Sequence, residues 1–294
     1  MLRQQLIGLF LIPPALCGFI TNWLIVKIVI QYRNLHRSFP IFTATVASLY
    51  AIMASFELMF ASPMIIFDIN FLKMNSTICG AIYLITYDTT SLFHVVISIN
   101  RFIAVFKPFS YNTVFNPRTT RVIIFSVITL SLLIVNCWLF IIDCRFSFDE
   151  DHWTFLVTDS DHCDVFVWTT ILGKNIILSI VNVILHVITM IKVITLKQFK
   201  ARTQVSRSYS LQESYFLKQT FGQTLFMSIE IIAFYFPPRS FENEYFAFLF
   251  SMFLWCTIHA AEGVITLIYN SEIRRKLQKR KKSYRITATK IQLK

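Results

Sequence analysis

Long apolar runs separated by short polar stretches set the pattern of this chain. Seven stand out: Leu6–Ile30, Ile41–Phe67, Ile78–Phe106, Val122–Ile142, Val165–Val193, Phe216–Phe236 and Tyr245–Tyr269. Within each run the apolar positions surround the helix instead of forming one amphipathic stripe, which suits a helix bathed in hydrocarbon. Crossing the hydrocarbon core takes about 20 such residues, and every run is long enough. The fold expected is therefore an all-α membrane protein, a seven-transmembrane helix bundle. Composition agrees: 55% hydrophobic and 16% aromatic residues, with a mean hydropathy of +0.58, is more apolar surface than a soluble chain needs. Residues 1–284 read as one membrane domain, and 285–294 as a basic tail.

The loops predict orientation. With the N-terminus outside, one face collects Arg33 and Arg37, then Lys107, Arg118 and Arg121, then Lys197, Lys200, Arg202 and Arg207, and finally the Arg274–Arg285 cluster. The opposite face holds Arg3, Lys73, Arg145 and Arg239. Basic residues near helix ends stay in the cytoplasm, so the N-terminus is expected outside and the C-terminus inside. The net charge of +12 is thus a basic inner face suited to anionic membrane lipid, and nucleic acid is not an expected partner. The chain has no evident cleavable signal peptide, so the first run is expected to act as an uncleaved anchor. Any ligand then has to be read by the helices and outer loops.

The third run ends in Asn100-Arg101-Phe102-Ile-Ala104, followed by Lys107-Pro108-Phe109-Ser-Tyr111 and, further on, Pro117-Arg118. This string resembles the junction after the third helix of rhodopsin-like receptors. Within that superfamily the chain is similar to the nematode serpentine chemoreceptors of class x (Srx). The resemblance rests on the Asn-Arg-Phe triplet, on Cys144-Arg-Phe146 through Trp153-Thr154-Phe155 to Cys163, and on the end of the seventh run. It implies a G-protein-coupled receptor in the plasma membrane, with a sensory cilium as one setting. Its partners would be an extracellular ligand, a small molecule or peptide, and a heterotrimeric G-protein. Asn100, Arg101, Phe102, Pro108 and Tyr111 would form the coupling site. Two departures matter. Asn100 replaces the usual acid, so another group has to restrain Arg101, and Glu230 lies too deep in the sixth helix to be an obvious one. The usual mid-helix proline of the sixth helix is also missing, since Pro237 and Pro238 lie at its outer end.

The resemblance further implies that Cys79 is tied to the second outer loop, with Cys163 favoured over Cys144 as its partner. The bridge would pin a hairpin of Arg145–Phe148 with Thr154–Val157. Cys17, Cys137 and Cys256 are expected as free thiols in helices. A short amphipathic eighth helix is expected over 271–282, with Ser271 as N-cap and Ile273 and Leu277 on its apolar face. Asn75-Ser76-Thr77 is a glycosylation sequon.

Ionisable groups inside a bilayer usually face the bundle interior. Asp88 lies about half-way along the third run and Lys174 in the outer half of the fifth, and the resemblance implies that these helices are neighbours, so the two could pair. With Tyr83, Tyr87, Trp168 and His259 they form a candidate ligand pocket, the alternative being a structural ion pair among packed aromatics. Asn22, Glu57 and Glu262 are expected in an intramembrane polar network, in which the two carboxylates could share a proton. His94 and His186 read as packed core residues. No metal site, cofactor motif or catalytic constellation is evident, so an enzyme is not expected. A seven-helix transporter or channel, and a receptor-like protein that no longer signals, are the rival readings.

Overall fold

The computed structural model describes residues 2–32, 37–158, 160–199, 204–235 and 243–278. Its long helices are α1 (Leu2–Gln31), α2 (Ser38–Phe67), α3 (Ser76–Phe106), α4 (Pro117–Ile141), α5 (Asp161–Phe199), α6 (Gln204–Tyr235) and α7 (Glu244–Tyr269). Between α4 and α5 lies a hairpin of β1 (Phe146–Asp149) and β2 (Thr154–Val157). The boundaries follow local chemistry. α2 stops where Asp68 turns left-handed at φ 53°. α4 starts with Pro117 in its first turn, while Asn116 caps it by accepting from the Thr119 amide at 2.9 Å.

Six of these helices are long and apolar enough to cross a membrane. The exception is α6, whose inward face carries buried Gln219, Thr220, Gln223, Thr224 and Glu230. Those side chains lower its mean hydropathy but are hidden from the surroundings. The outside of the bundle is the reverse: Phe125, Leu133 and Phe140 on α4 are all more than 60% exposed. Polar groups inside and large apolar groups outside is the arrangement a bilayer imposes. α3 runs through the centre, packed on α2, α4 and α5. α1 lies across α2 and α7. There Gly263 admits the close approach, since a Cβ on it would sit 2.5 Å from Thr21 Oγ1.

Among the described residues, π-helical segments occur at Glu57–Ala61 in α2, at Cys137–Ile141 closing α4, at Val167–Gly173 in α5 and at Leu249–Phe253 in α7. Each inserts an extra residue into a turn and so rotates the side chains beyond it, a device common at functional sites.

The hairpin pairs Phe146 with Val157 and Asp149 with Thr154, one residue along from the predicted first strand. It lies directly on α3. A Cβ on Gly80 would come within 1.8 Å of the Phe146 carbonyl oxygen, so only glycine fits. Ser76 Oγ accepts from the Phe148 amide at 3.2 Å, which leaves the sequon's serine buried beneath the strand. Trp153 Nε1 reaches Glu244 Oε2 at 3.2 Å and ties the turn to the start of α7. A second strap links Lys73 to Asp68 and to Glu150. The Lys73 ammonium, then the Gln4 amide, hold the Asp68 carboxyl below the usual carboxylate range.

The disulfide differs from expectation. Cys144 is bonded to Cys163, and Cys79 is a buried free thiol. The two bonded cysteines flank the hairpin, so the bridge closes its base within the loop. Cys79 lies beneath the strand next to Gly80, where the direct backbone packing already fixes the hairpin to α3.

Past Tyr269, residues 271–278 are helical. Their N-cap is Asn270, not Ser271: Asn270 has extended backbone, and its Oδ1 accepts from the Ile273 amide at 3.2 Å. Ile273 is fully buried and Leu277 packs beside it against Ile25, Ile28 and Val29 of α1, as its predicted apolar face requires. The end of the predicted eighth helix and the 285–294 tail lie outside the described residues.

Peptide mapping under non-reducing conditions should recover Cys144 linked to Cys163 and an alkylatable Cys79 after denaturation. Closing a loop of 19 residues is worth about 3 kcal/mol. Cys144→Ser/Cys163→Ser should therefore lower the thermal midpoint of the purified protein clearly more than Cys79→Ser does.

Candidate functional site

Two cavities lie at opposite ends of α3, with a polar interior between them. The first sits beneath the hairpin and has a volume of about 40 Å³. α3 contributes Leu84 and Tyr87, α4 Trp138, and the hairpin Phe146 and Val157 as a roof. α5 contributes Val167 and Ile171, α6 Glu230 and α7 Trp255. Three of these residues, Trp138, Val167 and Ile171, lie within π-helical segments, and Trp255 follows one by two residues. The segments thus aim bulky side chains at a common point. Trp255 is central: Tyr83 meets it edge-on at 5.4 Å and Tyr87 at 6.0 Å.

Of the six residues predicted to line a ligand pocket, Tyr87 alone lines this cavity. Tyr83 is fully buried between Phe155 and Trp255 as packing. Asp88 pairs with Lys174 and also accepts from Ser131 Oγ at 2.6 Å. Both its oxygens are therefore engaged, and it serves as a structural ion pair joining α3, α4 and α5. His259 lies a turn beyond Trp255, stacked on Tyr50 at 4.8 Å, with Nε2 3.1 Å from Glu230 Oε1. Trp168 has to be corrected. It is 51% exposed on the outside of α5, because Val167 and Ile171, four residues apart and so on one helix face, are the pair turned inward.

The polar interior continues from there. Tyr50 OH and His94 Nε2 are 3.0 Å apart. Ser98 Oγ donates to Asn182 Oδ1 at 2.7 Å and lies 3.1 Å from His186 Nε2, whose other ring nitrogen faces Thr220 Oγ1 at 3.4 Å. His94 and His186 are thus hydrogen-bonded core residues. Asn22 donates to the Gly18 and His259 carbonyls at 2.9 and 3.4 Å and so fastens α1 to α7. Asn22 and Glu262 line one small void with Tyr50, Gln223 and Thr266. Glu57 is buried elsewhere, in the α2 π-segment beside Cys256. The three predicted network residues therefore occupy two neighbourhoods.

The second cavity, about 560 Å³, opens at the far end of α3. Its wall includes Arg101, Pro108 and Tyr111 from the predicted coupling site, with Arg37, Phe39, Phe216 and Glu272. Arg101 is buried although it is charged. Its Nη2 donates to Asn100 Oδ1 at 2.7 Å and to Tyr111 OH at 3.4 Å. Asn100 Nδ2 in turn donates to Tyr111 OH at 3.1 Å. The guanidinium lies over the Phe39 ring at 4.0 Å and near Phe216 at 5.4 Å, while those two rings pack 4.7 Å apart. Among the described contacts, a neutral amide, a phenol and two aromatic faces surround the guanidinium. Phe102 stacks on Phe106 at 4.4 Å, away from the guanidinium. Ser38 Oγ fixes the following loop, bonding the Phe115 carbonyl at 2.9 Å and contacting Thr120 Oγ1 at 2.8 Å.

Sequence reasoning missed Trp138, Trp255, Phe146, Phe39 and Phe216. Trp255 had a readable signal, its i,i+4 spacing from His259 on one helix face. The others are aromatics in a chain with 30 phenylalanines, and spacing alone does not single them out.

A helical bundle with buried ions and an apolar exterior has the construction of a membrane protein. Comparison with known proteins agrees. The family described as serpentine type 7TM GPCR chemoreceptor Srx matches residues 12–270, and the chain belongs to that family. It is also 25% identical over 291 residues to Serpentine receptor class X 45 of Caenorhabditis elegans, covering 92% of this chain and 80% of that protein. The chain is accordingly a multi-pass membrane protein of a receptor family, not one of enzymes.

Removing one partner of a buried ion pair costs about 3–5 kcal/mol, because a charge is left uncompensated. Asp88→Asn should therefore lower the thermal midpoint of the detergent-solubilised protein strongly, and Asp88→Asn/Lys174→Met should recover most of the loss. A double variant no better than the single one would contradict the structural role of the pair.

Proposed function

We propose that the protein is a plasma-membrane chemosensory receptor with seven membrane spans, its N-terminus outside and its C-terminus inside. α6 is the span whose buried polar face depresses its hydropathy. An extracellular ligand, small molecule or peptide, enters beneath the β1–β2 hairpin, and the 271–278 helix rests on the inner lipid surface. Ligand binding shifts the bundle towards a form in which Arg101 leaves its cage and a heterotrimeric G-protein docks in the large cavity. Sensory cilia are a natural site for such a receptor.

One observation carries this reading: a buried arginine, caged by Asn100, Tyr111, Phe39 and Phe216, on the wall of a 560 Å³ cavity at the basic end of the bundle. The guanidinium sits at the rim of an open cavity, where a change of packing around it can expose it. Phe216 belongs to α6, so outward movement of α6 removes one wall of the cage. The distribution of basic loop residues supports the orientation, and the family supports the class of partner.

Two variants test the coupling. Arg101→Ala should abolish second-messenger output at unchanged surface expression, and wild-type-like output would refute the mechanism. Tyr111→Phe removes hydrogen bonds worth about 1 kcal/mol from the cage, a shift of roughly fivefold in a two-state balance. It should raise basal output severalfold, measured in cells without added ligand at matched surface levels.

A further inference from the structure

We propose that the cavity beneath the hairpin recognises a small organic amine in its cationic form, with Glu230 as the counter-charge. This rests on the receptor reading above and names the ligand class for its pocket. Among the described lining residues Glu230 supplies the one carboxylate, and the rest are aromatic or aliphatic apart from the Tyr87 hydroxyl. Glu230 is buried to within 6%. Its Oε1 lies 3.1 Å from His259 Nε2, within ion-pair distance but outside hydrogen-bonding geometry.

A carboxylate buried among hydrocarbon is costly unless a positive partner meets it. The lysine at comparable depth is already taken, because Lys174 is paired with Asp88. Asp88 is excluded as a ligand anchor for the same reason, and because Ser131 occupies its other oxygen. Among the described residues the cation-capable group left beside Glu230 is the His259 imidazole, so a ligand ammonium would enter as a further partner to that carboxylate.

The rest of the cavity suits the same guest. Trp255, Tyr87, Trp138 and Phe146 present aromatic rings around it, and an ammonium group is attracted to aromatic faces as well as to a carboxylate. The aliphatic wall from Leu84, Val157 and Ile171 accommodates a short alkyl body. At about 40 Å³ the cavity holds only a few water-sized groups, which favours a compact amine over a peptide. Phe146 belongs to the hairpin roof, so the same strand sets how large that body can be.

The test uses the full chain, purified in detergent, with three probes that share a branched four-carbon skeleton: isobutylamine, isobutanol and isobutyrate. Thermal midpoint against probe concentration reads binding without any signalling step. The amine should stabilise saturably, and the alcohol and the carboxylate should not. Glu230→Gln should weaken the amine's apparent affinity by about 10- to 100-fold, the loss of one charge-assisted contact. If that variant folds poorly, Glu230→Asp should give a smaller loss, and Phe146→Ala should move the preference to a bulkier amine. Equal stabilisation by the alcohol, stabilisation by the carboxylate, an unchanged amine response in either Glu230 variant, or no saturable effect of any probe would each overturn the proposal. The receptor reading is tested separately, because Arg101→Ala should bind the amine normally. Amine binding with no G-protein activation in membranes would sink the coupling and leave the amine site intact.

Discussion

Water is absent from the medium this chain crosses, and that single fact organises its interior. In a bilayer every buried donor, acceptor and charge has to find its partner within the protein, because the lipid tails supply none. The apolar exterior of α4 and the ion pair between Asp88 and Lys174 are two sides of the same constraint. The polar face of α6 expresses it most fully. Gln219 and Gln223 both reach Thr266 on α7 at 3.3 Å, and Ser228 meets Ser179 on α5 at 2.8 Å. The helix whose buried polar face lowers its hydropathy is held in place by that polarity.

α3 is where the two ends of the molecule meet. Tyr87 lines the cavity beneath the hairpin, Asp88 ties α3 to α4 and α5, Ser98 joins the histidine network, and Arg101 walls the opposite cavity. All of them lie within about four turns of one continuous helix. The Glu230–His259 contact, the stack of His259 on Tyr50 and the Tyr50–His94 hydrogen bond form a lateral path onto α3 from α6, α7 and α2. These contacts give a physical route by which a change at the hairpin end can reach the arginine end. Interior networks of this kind also have two sides energetically, since a partly satisfied one is costly.

Much of this was legible in the sequence, because hydrophobic run length and the Asn-Arg-Phe string are local signals. The hairpin and the pairing of Asp88 with Lys174 were anticipated through the resemblance to the receptor fold, the pairing as one of two readings. What the sequence concealed depended on rotation or on three-dimensional proximity. Trp168 faces outward and Trp138 inward because π-helical segments and helix phase decide which side of a helix a residue occupies. The disulfide was misjudged because connectivity is not a local property. The surroundings of Arg101 were hidden for the same reason: Phe39, Phe216 and Tyr111 come from three separate parts of the chain and converge only in the fold.

The central claim is that a bilayer surrounds an odd number of spanning helices, with Arg101 at the cytoplasmic end. Epitope tags at the two chain ends, probed with antibody before and after permeabilising intact cells, test it directly. The N-terminal tag should be reachable in intact cells, and the C-terminal tag only after permeabilisation. If both tags are reached from the same side, the topology and every assignment of an inner and an outer cavity fail together.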